Sequence, residues 1–326
     1  MQAKQRTLLV LTVVILLLGA LLWGLTRSNA AAEQAASAAQ EGSIPLSAFS
    51  AGDLTQIAYT YSGESYTLDY ADGSWTLAED PDYHLDVSAC DTMRTALMEL
   101  NAKRQFEAQA GEDYGLDDPL VTVTVTAAGQ STTLTFGAEN PVTGDLYVQK
   151  AGDDAIYTVD GSRAACFELD KAGLFGSFSP ADLTASEIEQ ITYTLASGET
   201  VSLTAHSEPA DSSDVEADSD SREYQTVWRL DDAAEADLDE SKVQAMQSAL
   251  CSYVSGQVTG ADPADYGFAK PMVTAQVTTA DRTVTLTYAS GTDGYYLQVE
   301  GNASLYQVDQ STVQALLLTA EDLKTE

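Results

Sequence analysis

Val121, Val123 and Val125 alternate with Thr122, Thr124 and Thr126, and Leu134 and Phe136 then alternate with threonines beyond an Ala-Gly-Gln turn. A period of two predicts a half-buried antiparallel hairpin with threonine on its wet face. The same pattern returns with Val273, Ala275 and Val277, then Val284, Leu286 and Tyr288. Elsewhere the period changes. Val87, Cys90, Met93, Leu97 and Leu100 recur at spacings of three and four, which predicts one apolar helical face that Asp86 can cap. Val243, Met246, Leu250 and Tyr253 repeat that face behind Asp239.

These echoes belong to a longer correspondence. Ile57-Ala-Tyr-Thr matches Ile191-Thr-Tyr-Thr, and Trp75-Thr-Leu matches Trp228-Arg-Leu. LDVSACDTMRTAL from Leu85 matches LDESKVQAMQSAL from Leu238, and DYGLDDPLVTVTV from Asp113 matches DYGFAKPMVTAQV from Asp265. Leu146-Tyr-Val-Gln and Ile156-Tyr-Thr-Val-Asp find partners in Tyr295-Tyr-Leu-Gln-Val and Leu305-Tyr-Gln-Val-Asp. Six landmarks in one order imply a duplication. Each copy reads as two or three strands, a helix, four further strands and a short terminal helix. The expected fold class is therefore α+β, a mainly antiparallel sheet packed with one main helix in each of two related modules. The D-Y-G element reads as a structural turn whose tyrosine packs back on the helix, with Pro119 or Pro271 opening the next strand.

Ahead of the modules, Thr7 to Leu25 reads TLLVLTVVILLLGALLWGL, nineteen residues without a charge. At 1.5 Å per residue this run nearly crosses a hydrocarbon core ~30 Å thick, so it predicts a transmembrane anchor. Lys4 and Arg6 precede it, while only Arg27 follows before Glu33 and Glu41, which orients the N-terminus to the cytoplasm and the bulk outside. The small residues around Ala30 also admit signal cleavage; the length of the run and Trp23 favour a retained anchor. The expected division is a tip and anchor over 1–27, a flexible stalk over 28–48, a first repeat over 49–176 and a second over 177–326.

Composition narrows the chemistry. Fifty acidic against fifteen basic residues give a formal charge of -35, which opposes phosphate backbones and argues against nucleic acid as a partner. Cys90, Cys166 and Cys251 form no C-x-x-C pair and stand opposite apolar residues of the sister copy, so they read as core residues rather than a zinc site or disulfide framework. The second copy carries an acidic, serine-rich insertion over 205–223 that includes His206. It lacks the apolar residues to pack, which predicts a disordered loop, and it lacks the glycine and glutamate spacing of an EF-hand. Neither metal nor cofactor is expected. No G-x-S-x-G, H-E-x-x-H, Walker or G-x-G-x-x-G pattern occurs, and His84 has no nucleophile beside it in sequence, so catalysis is not expected.

One loop distinguishes the copies. GAENPVTGDLYV from Gly137 shrinks to ASGTDGYYLQV in the second copy, and its turn residues read first as a hairpin connection. If the first module binds a ligand, Glu139, Asn140, Thr143 and Asp145 of this loop are the candidates. Tyr147, Tyr157, Tyr296 and Tyr306 recur at matching strand positions and read as core rather than as a sugar-binding surface.

The anchor together with D-Y-G-L-D-D-P, F-G-A-E-N-P-V-T-G-D-L-Y-V and I-Y-T-V-D resembles the bacterial domain-of-unknown-function family 4340 over about Ile57 to Leu318. That family offers no catalytic residues to carry over. Its members are often encoded beside gliding-motility-type ABC transporter components, so the resemblance implies an accessory role near such a transporter. The expected function is thus a non-enzymatic, single-pass, extracytoplasmic binding protein, with the membrane and ABC subunits or a cell-envelope component as partners. A cell-wall or carbohydrate-binding module and an envelope hydrolase are the alternatives.

Overall fold

The computed structural model describes residues 44–209 and 224–325. The anchor expected over 7–25, most of the stalk and the acidic stretch 210–223 lie outside the described residues. No helix among the described residues is long and apolar enough to cross a membrane. The described residues divide into two compact units: 44–79 together with 87–171, and 80–86 together with 172–209 and 224–325.

In the first unit, β1 (Ile44–Ala48) is followed by β2 (Leu54–Tyr61), β3 (Glu64–Ala71) and β4 (Ser74–Leu77), then by helix α1 (Val87–Met98). Short strands β5 (Glu99–Ala102) and β6 (Arg104–Glu107) come next, then β7 (Val121–Ala127), β8 (Gln130–Glu139), β9 (Asp145–Lys150) and β10 (Ala155–Asp160). Eight strands form one antiparallel sheet in the order β4-β3-β2-β7-β8-β9-β10-β6, and β1 pairs separately with β5. β1 occupies the end of the expected stalk because Leu46 is an apolar residue that buries completely.

The second unit repeats this plan with β11 (Ile188–Leu195), β12 (Thr200–Pro209), β13 (Tyr224–Leu230), α2 (Glu240–Leu250), β14 (Gly256–Val258), β15 (Val273–Thr279), β16 (Thr283–Ser290), β17 (Tyr295–Val299), β18 (Leu305–Val308) and α3 (Gln310–Gln314). Its sheet order, β13-β12-β11-β15-β16-β17-β18-β14, matches strand for strand. Two modules of mainly antiparallel sheet with few helices are what the duplication required.

Periodicity explains the core. Val121, Val123 and Val125 pack inward with Ile57, Tyr59 and the α1 residues Cys90, Met93 and Leu97, all buried. On the other face Thr124 and Thr133 meet across strands with hydroxyls 2.8 Å apart, and Thr126 meets Ser131 at 2.9 Å. Asp239 caps α2 by accepting from the Ser241 amide at 3.0 Å. Tyr59 donates to the Leu169 carbonyl at 2.8 Å, and its sister Tyr193 donates to that of Leu318 at 2.6 Å, so each unit ties its closing segment to a central strand in the same way.

Several expectations need correction. Val87 and Tyr253, expected on apolar helix faces, are exposed, because α1 begins at Val87 and α2 ends at Leu250. Leu100 is buried, but in β5, where spacing of three or four has no meaning. The expected α+β balance leans further to strand, since β5, β6 and β14 follow the helices and the first copy closes on two 3-10 turns instead of a terminal helix. Residues 205–209 are not loop: β12 runs through His206, which pairs with Val227. Cys90 is core, whereas Cys166 and Cys251 are only half-buried; all three are free thiols. His84 belongs to the second unit, stacked on Phe178 with ring centroids 4.0 Å apart.

Candidate functional site

The turn of the D-Y-G element is set by Asp113, whose carboxylate accepts from the Gly115 amide at 2.8 Å. Gly115 takes φ +69, a conformation few other residues adopt, and a side chain there would run into Ala138. The Ala138 amide donates to the Tyr114 carbonyl at 2.8 Å, so the turn is clamped to the end of β8. This clamp aims Tyr114 away from the expected helix contact. Its ring lies edge-on to Tyr147 at 4.9 Å and beside Phe106 at 5.8 Å, on strands β9 and β6.

Beyond the clamp the loop folds around Asn140. Its side-chain oxygen accepts from the amides of Val142 at 2.9 Å and Thr143 at 3.2 Å, and its side-chain nitrogen donates to the Tyr147 hydroxyl at 2.8 Å. Loop and rings enclose a cavity of about 230 Å³, walled also by Arg104, Asp145 and Thr158. The strand register explains the grouping, because Thr158 faces Arg104 on β6 and Tyr147 on β9. One cross-strand row therefore supplies a guanidinium, a hydroxyl and a phenol to one side of the sheet.

The electrostatics leave two groups unspent. Lys103 donates to Asp145 at 2.7 Å and to Asp160 at 3.4 Å, and the bond to Asp145 raises the ammonium above its ordinary range. Asp160 is held down at about 2, first by the Ser162 hydroxyl and amide and then by Lys103. Asp145 is thus already neutralised by Lys103. Arg104 has no acidic partner among the described residues, and Thr158, only 4% exposed, has a hydroxyl with no hydrogen-bond partner. A buried polar group without a partner is unfavourable by about 1–3 kcal/mol, which a ligand that bonds to it would recover.

Of the four loop residues named from sequence, Asn140, Thr143 and Asp145 line this cavity. Glu139 does not; it borders a separate depression with Tyr61 and Gly63. Arg104, Phe106 and Thr158 escaped the sequence reading, although a comparison of the copies carries the signal. In the second unit Gln307 stands at the position of Thr158, paired with Gly256 and Tyr296 as Thr158 is with Arg104 and Tyr147. Gly294 replaces Asp145. The Gln307 side chain lies against both glycines, 3.0 and 3.5 Å from where their Cβ atoms would be, and so covers the space that is open in the first unit. The tyrosine pair persists as Tyr266 and Tyr296, 4.8 Å apart.

Chemically the cavity can bind and orient one small polar group. The Thr158 hydroxyl is hydrogen-bonded to none of the described residues, and among them no group of three or more His, Cys, Asp or Glu side chains could hold a metal ion.

Fold and cavity together define a duplicated antiparallel-sheet protein with an open site in one copy and a covered one in the other. The chain belongs to the family described as a domain of unknown function, DUF4340, which matches residues 75–226 and 228–326. No curated protein and no solved structure matches it.

Proposed function

We propose that the protein is a non-enzymatic binding protein, held by residues 7–25 as a single-pass anchor with its bulk outside the cytoplasm, and that it serves an ABC-type, gliding-motility-like transport system as an accessory. The uncharged run and the basic residues before it support the anchor and its direction. Transporter association rests on the family resemblance. Binding rests on one observation: the first unit buries the Thr158 hydroxyl without a partner beside Arg104, while the second covers the same place with Gln307. At about 230 Å³ the cavity suits one small polar group of a ligand rather than a whole large molecule.

The test is purification of the full chain from membranes in mild detergent. The expected result is that the protein stays with the membrane through an alkaline wash and carries ABC subunits with it. Recovery as a soluble species lacking residues 1–30, or a preparation from which every ABC subunit is absent, would contradict the proposal.

A further inference from the structure

The second unit opens a cavity of its own where the first is closed. In the first unit Trp75 donates to Asp91 at 3.0 Å and packs on Tyr70 with centroids 4.7 Å apart. Arg94 completes the cluster, pairing with Asp91 at 3.0 Å and donating to the Tyr70 hydroxyl at 2.9 Å. Trp228 is the sister of Trp75, but its cross-strand partner is Ala205 where Trp75 has Tyr70. The matching helix positions carry Gln244 for Asp91 and Gln247 for Arg94. Every side chain that closes over the first indole is shortened or neutralised in the second. The result is a cavity of about 800 Å³ between β13 and α2, within the range of small-molecule sites, ~300–1,000 Å³.

Its lining specifies a ligand class. Trp228 is half-buried and its indole N–H has no partner among the described residues; nor have the side-chain amides of Gln225 and Gln244. The cation at the rim, Arg229, is already committed to Glu208 through bonds of 2.9, 3.0 and 3.1 Å. Asp237 and Glu240 also line the cavity, so an anionic ligand meets no free positive charge. What remains is an indole face beside Ile188 and Val243, with several unspent neutral donors and acceptors around it. Pyranose rings present that complement, an apolar C–H face and a rim of hydroxyls. We infer that the Trp228 cavity is a binding site for a neutral glycan, separate from the first-unit cavity and independent of it.

The experiment is a fluorescence titration of the full chain in detergent with chitotetraose, cellotetraose and maltotetraose. A saturable change in tryptophan emission is expected with at least one of them. The triple substitution Ala205→Tyr, Gln244→Asp and Gln247→Arg rebuilds the closed cluster of the first unit and should weaken that binding at least about tenfold, the scale of one lost aromatic contact. Trp228→Phe should abolish the emission change and, should the triple variant not fold, Gln244→Ala gives the same test with the indole retained. Thr158→Gln, in the other cavity, should leave the titration unaltered, so failure here is distinguishable from failure of the first-unit reading. No emission change with any of the three glycans, or undiminished binding by both the triple variant and Gln244→Ala, would overturn the assignment.

Discussion

Gly137 meets the carbonyl oxygen of Tyr114 so closely that a Cβ at Gly137 would lie less than 3.0 Å from it. This approach locks the D-Y-G turn to the loop around the first-unit cavity. The adjoining Gly115–Ala138 contact has its sister in Gly267, at φ +88, against the Ser290 carbonyl. Gly137→Ala should therefore destabilise the first unit by about 2 kcal/mol or more, through overpacking against backbone that cannot yield. Gly129→Ala, in open space at φ +74, should lose only about 1 kcal/mol through its backbone conformation. Urea unfolding of the two variants side by side checks the difference.

Tyr288 predicts the opposite sign. It is fully buried with its hydroxyl unpartnered, and burial pushes that phenol far above its ordinary range. The sister position holds Phe136, since Val121 pairs with Phe136 as Val273 pairs with Tyr288. Tyr288→Phe should stabilise the second unit by about 1 kcal/mol, seen as a higher unfolding midpoint. Tyr59→Phe and Tyr193→Phe, which break real hydrogen bonds to Leu169 and Leu318, should each destabilise by about 1 kcal/mol.

The Lys103 cluster sets a pH profile. Asp160 is depressed from 3.8 to about 2, so its contribution is complete above pH 4 and is lost as the pH falls toward 2. Asp153, Asp231, Asp239 and Asp322 shift in the same direction. Lys103 is raised above 10.5, and its contribution is lost only as the pH rises beyond that value. Stability measured by denaturant midpoint should be level with respect to these groups between about pH 4 and 10 and fall below 4. Lys103→Met strands the buried Asp145 carboxylate and should cost about 2 kcal/mol or more at pH 7, most of it restored by adding Asp145→Asn.

The thiols should be sluggish. Cys90 is fully buried, and burial pushes Cys166 up to about 11, leaving little thiolate at neutral pH. Native protein at pH 7.5 should react with a disulfide thiol reagent far more slowly than unfolded protein, with no thiol titrating fast.

How much of this could be read from the chain depended on periodicity and repetition. The Val/Thr alternation placed β7 and β8 on the correct faces, and six ordered landmarks identified two like units. β6 and β14 stayed hidden because Arg104-Gln-Phe-Glu and Gly256-Gln-Val are too short and too polar to show a period of two. Leu100 satisfied a helical spacing while belonging to a strand. The ligand loop was recognised by its length difference, but Arg104 and Thr158 lie on strands far from it in sequence, and only the antiparallel pairing of β6, β10 and β9 brings them together. The direction of Tyr114 was missed because it depends on the Gly115–Ala138 contact, which local sequence does not encode. Thr158 opposite Gln307 and Tyr70 opposite Ala205 were visible as differences between the copies; their meaning required the strand register.

The claim that one copy keeps an open site and the other covers it is tested most directly by photo-crosslinking in cells, with a diazirine-bearing lysine analogue placed at Arg104 in one protein and at Gly256 in another. A discrete adduct on intact mass analysis is expected from position 104, lost when Thr158→Gln is added, and none from position 256. Equal adducts at both positions, or an adduct at 104 that survives Thr158→Gln, would contradict the account.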